Sequence, residues 1–98
     1  MKEKEQKQLQ LEIQMDEQTA QGIYTNLAGV MHSETEFVFD FLFLQPSQPK
    51  AKLRARIISS PVHTKRFVNT LIENIKRYED RFGIIPEREE LLSSKANS

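Results

Sequence analysis

The sequence predicts an α+β domain: a four-stranded antiparallel meander followed by one long C-terminal helix packed on one sheet face (β-β-β-β-α). Three observations predict it. Phenylalanine recurs at every second position over Phe37, Phe39, Phe41 and Phe43, which places four rings on one face of a strand and scatters them around a helix. Residues 50–59 alternate in the same way, with Ala51, Leu53, Ala55 and Ile57 between Lys50, Lys52, Arg54 and Arg56. From residue 61 the period changes, and Phe67, Val68, Leu71, Ile72, Ile75, Tyr78 and Phe82 follow helical spacing.

Along the chain, residues 1–8 form a polar run read as a flexible leader. Leu9, Leu11, Ile13 and Met15 alternate with Gln10, Glu12 and Gln14, the pattern of a half-buried first strand. Residues 16–21 are polar enough to turn. Residues 23–32 make the second strand, interrupted by Ala28 and by Gly29, where a bulge or close backbone approach is expected. Ser33, Glu34 and Thr35 supply a hairpin loop into the phenylalanine strand. Pro46 and Pro49 end that strand because proline cannot continue a ladder.

Pairing the last two strands across this loop with positions summing to 94 sets Phe43 against Ala51, Phe41 against Leu53, Phe39 against Ala55 and Phe37 against Ile57. The same register makes Asp40 and Arg54 a charge-complementary pair on the opposite face. Ser60-Pro61 is a helix start, a hydroxyl cap before a proline whose fixed φ suits the first turn. Gly83 is placed to end the helix in a left-handed conformation, with Pro86 shortly after. One domain over residues 9–84 results. Residues 85–98 form a polar tail, partly helical or disordered, in which residues 87–92 form one or two turns.

Composition narrows the function classes. Lys+Arg and Asp+Glu are both 14 among 98 residues, and a balanced charge argues against a dedicated nucleic-acid or polybasic membrane module. The absence of cysteine removes disulfides, thiolate zinc sites and cysteine nucleophiles. Residues 1–10 carry no apolar core of a signal peptide, and no run approaches the ~18 apolar residues of a membrane span. The cytoplasm is the expected location.

Geometry carries the argument further. Four strands of about nine residues make a sheet of roughly 19 by 30 Å. A helix over residues 61–82 is ~33 Å long but only ~10 Å wide, so it covers about half of one face. The phenylalanine face is its expected seat. The second face carries Val38, Leu42 and Leu44, with Tyr24 and Val30 expected beside them and Asp40, Lys52, Arg54 and Arg56 among them. Apolar surface of this kind marks an interface, so a homo-oligomer is expected, most simply a twofold dimer.

The chemistry of individual residues points the same way. His32, Glu34 and Glu36 are a candidate metal cluster on a strand, but a turn at Ser33-Glu34 disperses them, and a polar hairpin tip is preferred. His63 reads as a first-turn surface residue. Asp40 with Arg54 reads as a register-fixing pair, since no second acid, nucleophile or metal set accompanies it. Asn26 on a strand needs partners for its amide. The basic row Lys50, Lys52, Arg54 and Arg56 is the one feature suited to nucleic acid, although the phenylalanines are expected on the opposite face. Gly22, Gly29 and Gly83 are isolated and build no phosphate loop. No cofactor, no metal and no enzymatic activity are expected. The chain reads as a protein-interaction or chaperone-like oligomeric module, with nucleic-acid binding through the basic row as the alternative.

The strings Tyr24-x-Asn26-Leu27-Ala28, His32-Ser33-x-x-Glu36-Phe37-Val38-x-Asp40-Phe41, Pro49-Lys50-Ala51-Lys52, Arg56-Ile57-Ile58 and Pro61-x-His63-x-Lys65-Arg66 resemble a widespread small prokaryotic family of unknown function. The resemblance covers residues 11–83 and implies no activity. In topology alone, four antiparallel strands and a long helix are similar to the subunit of the SecB export chaperone. That likeness implies dimers of dimers that hold unfolded chains in apolar grooves, with the short 87–92 segment standing for a second helix.

Overall fold

The computed structural model describes residues 10–87. The leader expected over residues 1–8 lies outside them, as does all but the first residue of the 87–92 segment. The elements are α1 (Glu17–Gln21), β1 (Leu27–His32), β2 (Phe37–Leu44), β3 (Ala51–Ser59) and α2 (Pro61–Phe82). The strands form a three-stranded antiparallel sheet in the order β1-β2-β3, so the fold is α+β with a C-terminal helix.

Among the described residues the expected fourth strand is absent. Residues 10–15 have no regular structure, and Asp16 caps α1 by accepting the Thr19 N–H at 3.2 Å. Alternation of Leu11, Ile13 and Met15 suits a strand, but a strand also needs a neighbour for its backbone. Here Leu11 is 82% exposed. The second strand is likewise shorter than the 23–32 expected, beginning at Leu27.

Gly29 makes no bulge; it pairs with Asp40, and a Cβ added there would meet nothing within 4 Å. The irregularity falls instead in β3. Phe41 pairs with Ala55 but Leu42 with Leu53, leaving Arg54 as the extra residue of a β-bulge. The register is therefore not the one expected. Phe37, Phe39 and Phe41 face Ser59, Ile57 and Ala55, while beyond the bulge Phe43 faces Lys52 and Leu44 faces Ala51. Asp40 meets Arg56, not Arg54.

The helix spans the 22 residues its spacing predicts. Ser60 accepts the His63 N–H at 3.1 Å, with Pro61 in the first turn. Gly83 ends it at φ 104° and ψ 163°, with its N–H on the Glu79 carbonyl at 2.9 Å. That is a positive-φ extended conformation open mainly to glycine, rather than the left-handed helical one expected.

The helix meets the sheet through its first turns. Phe67 sets its ring edge-on to Phe39 with centroids 6.1 Å apart. Thr64, beside it, is 7% exposed and donates its hydroxyl to the Ser60 carbonyl at 2.8 Å. From Leu71 onward the apolar side chains stay exposed, so α2 does not cover the phenylalanine face as expected.

No apolar side chain among the described residues is buried. The closest approach to a core is β2, whose residues are all half-buried because it has a neighbouring strand on each side.

Candidate interaction surface

The register sorts the side chains onto two faces. One carries Phe37, Phe39, Phe41 and Phe43 of β2, with Ala28, Val30 and His32 of β1 and Lys52, Ala55 and Ile57 of β3. The other carries Val38, Asp40, Leu42 and Leu44, flanked by Leu27, Gly29 and Met31 and by Ala51, Leu53, Arg56 and Ile58.

Of the expected interface residues, Val38, Leu42 and Leu44 share the second face, half-buried. Val30 does not, because pairing with Phe39 turns it to the phenylalanine face. Tyr24 also lies with the phenylalanines, its ring edge-on to Phe43 at 6.2 Å. The bulge moves Leu53 to the second face, where Met31 and Ile58 are more than half exposed. Sequence alternation alone missed these three.

One polar device crosses the second face. Arg56 donates from Nε to Asp40 Oδ1 at 2.7 Å and from Nη2 to Oδ2 at 2.8 Å, a bidentate fork. These bonds hold the Asp40 carboxyl below its ordinary value of 3.8 and raise the Arg56 guanidinium, against a smaller desolvation effect. Asp40 is 17% exposed and Arg56 52%, so the pair lies at the surface while fixing the β2–β3 register. The glycine opposite, Gly29, leaves the carboxylate unobstructed from the β1 side.

Asn26 finds its partners in the backbone. Its Nδ2 donates to the Leu44 carbonyl at 3.1 Å and its Oδ1 accepts the Leu44 N–H at 2.8 Å. The Asn26 N–H itself donates to the Leu42 carbonyl at 3.0 Å. The amide thus imitates one more residue of a strand and extends the β1–β2 ladder past its end. An amide preceding an apolar strand is the only sequence signal for this bracket.

The hairpin tip is polar, as expected. Ser33 Oγ accepts the N–H groups of Thr35 and Glu36, both at 3.2 Å. His32 stacks on Phe37 with ring centroids 5.4 Å apart, away from any ligand set with Glu34 and Glu36. Among the described residues no three His, Asp or Glu side chains gather as metal ligands.

The basic row is dispersed. Lys50 precedes β3, Lys52 points to the phenylalanine face, Arg54 sits in the bulge and Arg56 is bound to Asp40. Lys50 and Lys52 line an open cavity of about 360 Å³ with Phe43, Gln45 and Ala51. A second, more apolar cavity of about 250 Å³ lies where α2 leaves the sheet, between Phe39, Phe41, Ile57, Ser59, His63 and Phe67. His63, exposed in the first turn as expected, also forms part of its wall.

At the far end of α2, Ile85 donates its N–H to Glu79 Oε2 at 2.9 Å, turning the chain back along the helix. Among the described residues no helix is long and apolar enough to cross a membrane.

No curated protein and no solved structure matches the chain. A family model does match, described as "Protein of unknown function (DUF3467)", over residues 1–87. The matched span contains every motif on which the family resemblance rests, and the chain belongs to this family of unknown function.

Proposed function

We propose that this chain is a non-enzymatic protein-interaction module that works as an oligomer, either chaperone-like or as a subunit of a larger assembly. One observation carries the reading: the described residues form a hydrogen-bonded three-stranded sheet and a capped helix, yet none of their apolar side chains is buried. Ordering a residue costs roughly 1–2 kcal/mol of backbone entropy. Full burial of a large apolar side chain returns about 1.5–3 kcal/mol. A chain that leaves Val30, Met31, Ile57, Ile58 and the length of α2 exposed forgoes much of that return until another surface covers them. Protein is the covering agent that fits, because the exposed area is apolar and spread over both sheet faces and the helix.

Light scattering on the full chain, with Leu42→Glu as the companion variant, tests this. The expected result is a wild-type oligomer that the substitution on the second face weakens. A folded wild-type monomer at micromolar concentration that binds neither an apolar dye nor an unfolded peptide would sink the reading.

A second reading draws on Lys52. Its place on the phenylalanine face beside Phe43, with Tyr24 edge-on to that ring, combines a cation with aromatic rings as single-strand binders do. Nucleic-acid binding through Lys50 and Lys52 predicts a salt-dependent mobility shift with single-stranded RNA or DNA. No shift at low salt removes it.

A further inference from the structure

The apolar positions of α2 have a spacing finer than amphipathicity requires. From Thr64 they step by four and three residues alternately, through Val68, Leu71, Ile75, Tyr78 and Phe82. That is the a/d seam of a helix packed lengthwise on another helix. Thr64 is already buried at the sheet, while Val68, Leu71, Ile75, Tyr78 and Phe82 are 40–66% exposed. With Ile72, at the flank, they offer roughly 500–600 Å² of apolar surface, most of the ~800 Å² per partner that a stable interface buries.

From this we infer that α2 pairs antiparallel with α2 of a second copy, about a twofold axis between Leu71 and Ile75. The inference rests on the interaction-module reading and specifies its first partner. Three features select the antiparallel arrangement. The first is size. With positions summing to 146, Leu71 meets the partner's Ile75, and Val68 meets the partner's Tyr78, small against large. A parallel pair would set Tyr78 on the partner's Tyr78 and Phe82 on the partner's Phe82. The second is charge. Lys65 and Glu79 occupy equivalent flanking positions on the same side of the seam, and only the antiparallel pair brings each beside the other in the partner. Glu79 has one oxygen engaged by Ile85, and among the described residues no hydrogen bond is formed by the second.

The third feature is the cavity at the helix start. The same register brings the partner's Phe82 level with Thr64, whose neighbours His63 and Phe67 wall the apolar cavity of about 250 Å³ against Phe39, Phe41 and Ile57. Phe82 is 66% exposed, the most exposed aromatic side chain of α2. Its ring fills the opening between the partner's helix and sheet. Each copy thereby covers the part of the other's phenylalanine face that its own helix leaves bare.

The chain has no cysteine, so single-cysteine variants report proximity directly. In the antiparallel register Ile72 lies about 3 Å along the axis from its mate, but Arg81 lies about 24 Å from its own. A short bismaleimide linker on the full chain is expected to join most of Ile72→Cys into dimers and little of Arg81→Cys. Efficient joining of Arg81→Cys would overturn the antiparallel arrangement in favour of a parallel one. If light scattering shows an oligomer and Ile72→Cys does not crosslink, the α2 interface is wrong while the interaction-module reading stands. If the wild type is a folded monomer, α2 has no partner copy and the inference fails with it. The charge exchange supplies an independent check: Lys65→Glu and Glu79→Lys should each weaken the dimer severalfold, and the double variant should recover most of the loss. Additive losses in the double variant would also overturn the pairing.

Discussion

The central strand and the long helix are equally well formed, yet they are completed by different means. In β2 every contact that defines the strand comes from this chain: β1 on one side, β3 on the other, Asn26 bracketing its end and Arg56 clasping Asp40. In α2 the backbone is as complete, capped by Ser60 and ended by Gly83, but among the described residues the apolar arc beyond the first turns stays exposed, with Ile84, Ile85 and Pro86 lining an open cavity beside Ile75. Hydrogen bonding is a local debt that neighbouring residues settle; apolar burial scales with area and needs a second surface. In a domain this small the two requirements separate. Among the described residues the strands and the helix are hydrogen-bonded within the chain, while the apolar side chains remain exposed.

The sharpest way to break this contrast is to charge the helix arc. Ile75→Glu places a carboxylate in the middle of the seam. If α2 is covered by a partner, the substitution costs roughly 3 kcal/mol or more of assembly stability, since an unpaired charge must be buried or the interface abandoned. The melting temperature of the wild type should rise with protein concentration, and that dependence should vanish in the variant. A solvent-facing helix would instead tolerate the change within about 0.5 kcal/mol. An unchanged melting curve and mass would therefore place α2 outside any interface.

Charging the helix tests what the chain leaves open; removing Asn26 tests what it closes. Asn26→Ala frees both the N–H and the carbonyl of Leu44. A loss of about 1–2 kcal/mol is expected, tempered by water reaching this exposed end of the sheet. Amide exchange at Leu44 should accelerate more than at Phe41, which lies within the ladder. Equal protection at both positions would show the bracket to be dispensable.

How much of this was legible in the sequence follows the same division. The bounds of α2 could be read because each end is set by residues within one turn: Ser60 and Pro61 at the start, Gly83 at the stop. The phenylalanine stripe of β2 was legible from its period of two. The β2–β3 register was not, because alternation is preserved on both sides of a bulge, and nothing in the pattern marks Arg54 as the residue left over. The slip exchanged Arg54 for Arg56 as the partner of Asp40 and divided the basic row. The strand expected over residues 9–15 failed for a different reason. Its pattern was right for a sheet edge, but a pattern states which face would be buried, not whether a neighbour is present to pair with. The same limit hid the cavity beside Phe67, which exists only because the helix leaves the sheet after its first turns.

Capping offers a smaller perturbation that separates the helix itself from its partner. Ser60→Ala removes the acceptor for the His63 N–H and is expected to cost ~1 kcal/mol. The loss should be the same at low and high protein concentration if it acts within one chain. A loss that changes with concentration would tie the first turn to the interface, as the cavity lined by His63 would then require.

The smallest expected effect is on the sheet's side of the comparison and is read through pH. Hydrogen bonds from Arg56 hold the Asp40 carboxyl below its ordinary value of 3.8 in the folded chain. A depressed native value means that the folded state favours the carboxylate, so this stabilisation is fully present above the unfolded value and is lost as pH falls through the native one. Asp16 is also lowered, through its bonds to Thr19, so acid sensitivity of the wild type alone does not isolate Asp40. The difference between wild type and Asp40→Asn does. Measured by urea denaturation from pH 7 downward, that difference should be constant near neutrality and shrink below about pH 4 as the wild-type carboxylate is protonated. Because the fork is at the surface, added salt should narrow the gap at neutral pH as well. A gap that stayed constant from pH 7 to pH 2 would mean that Asp40 holds the register by shape rather than by charge, and the second face would then owe its order to Val38, Leu42 and Leu44 alone.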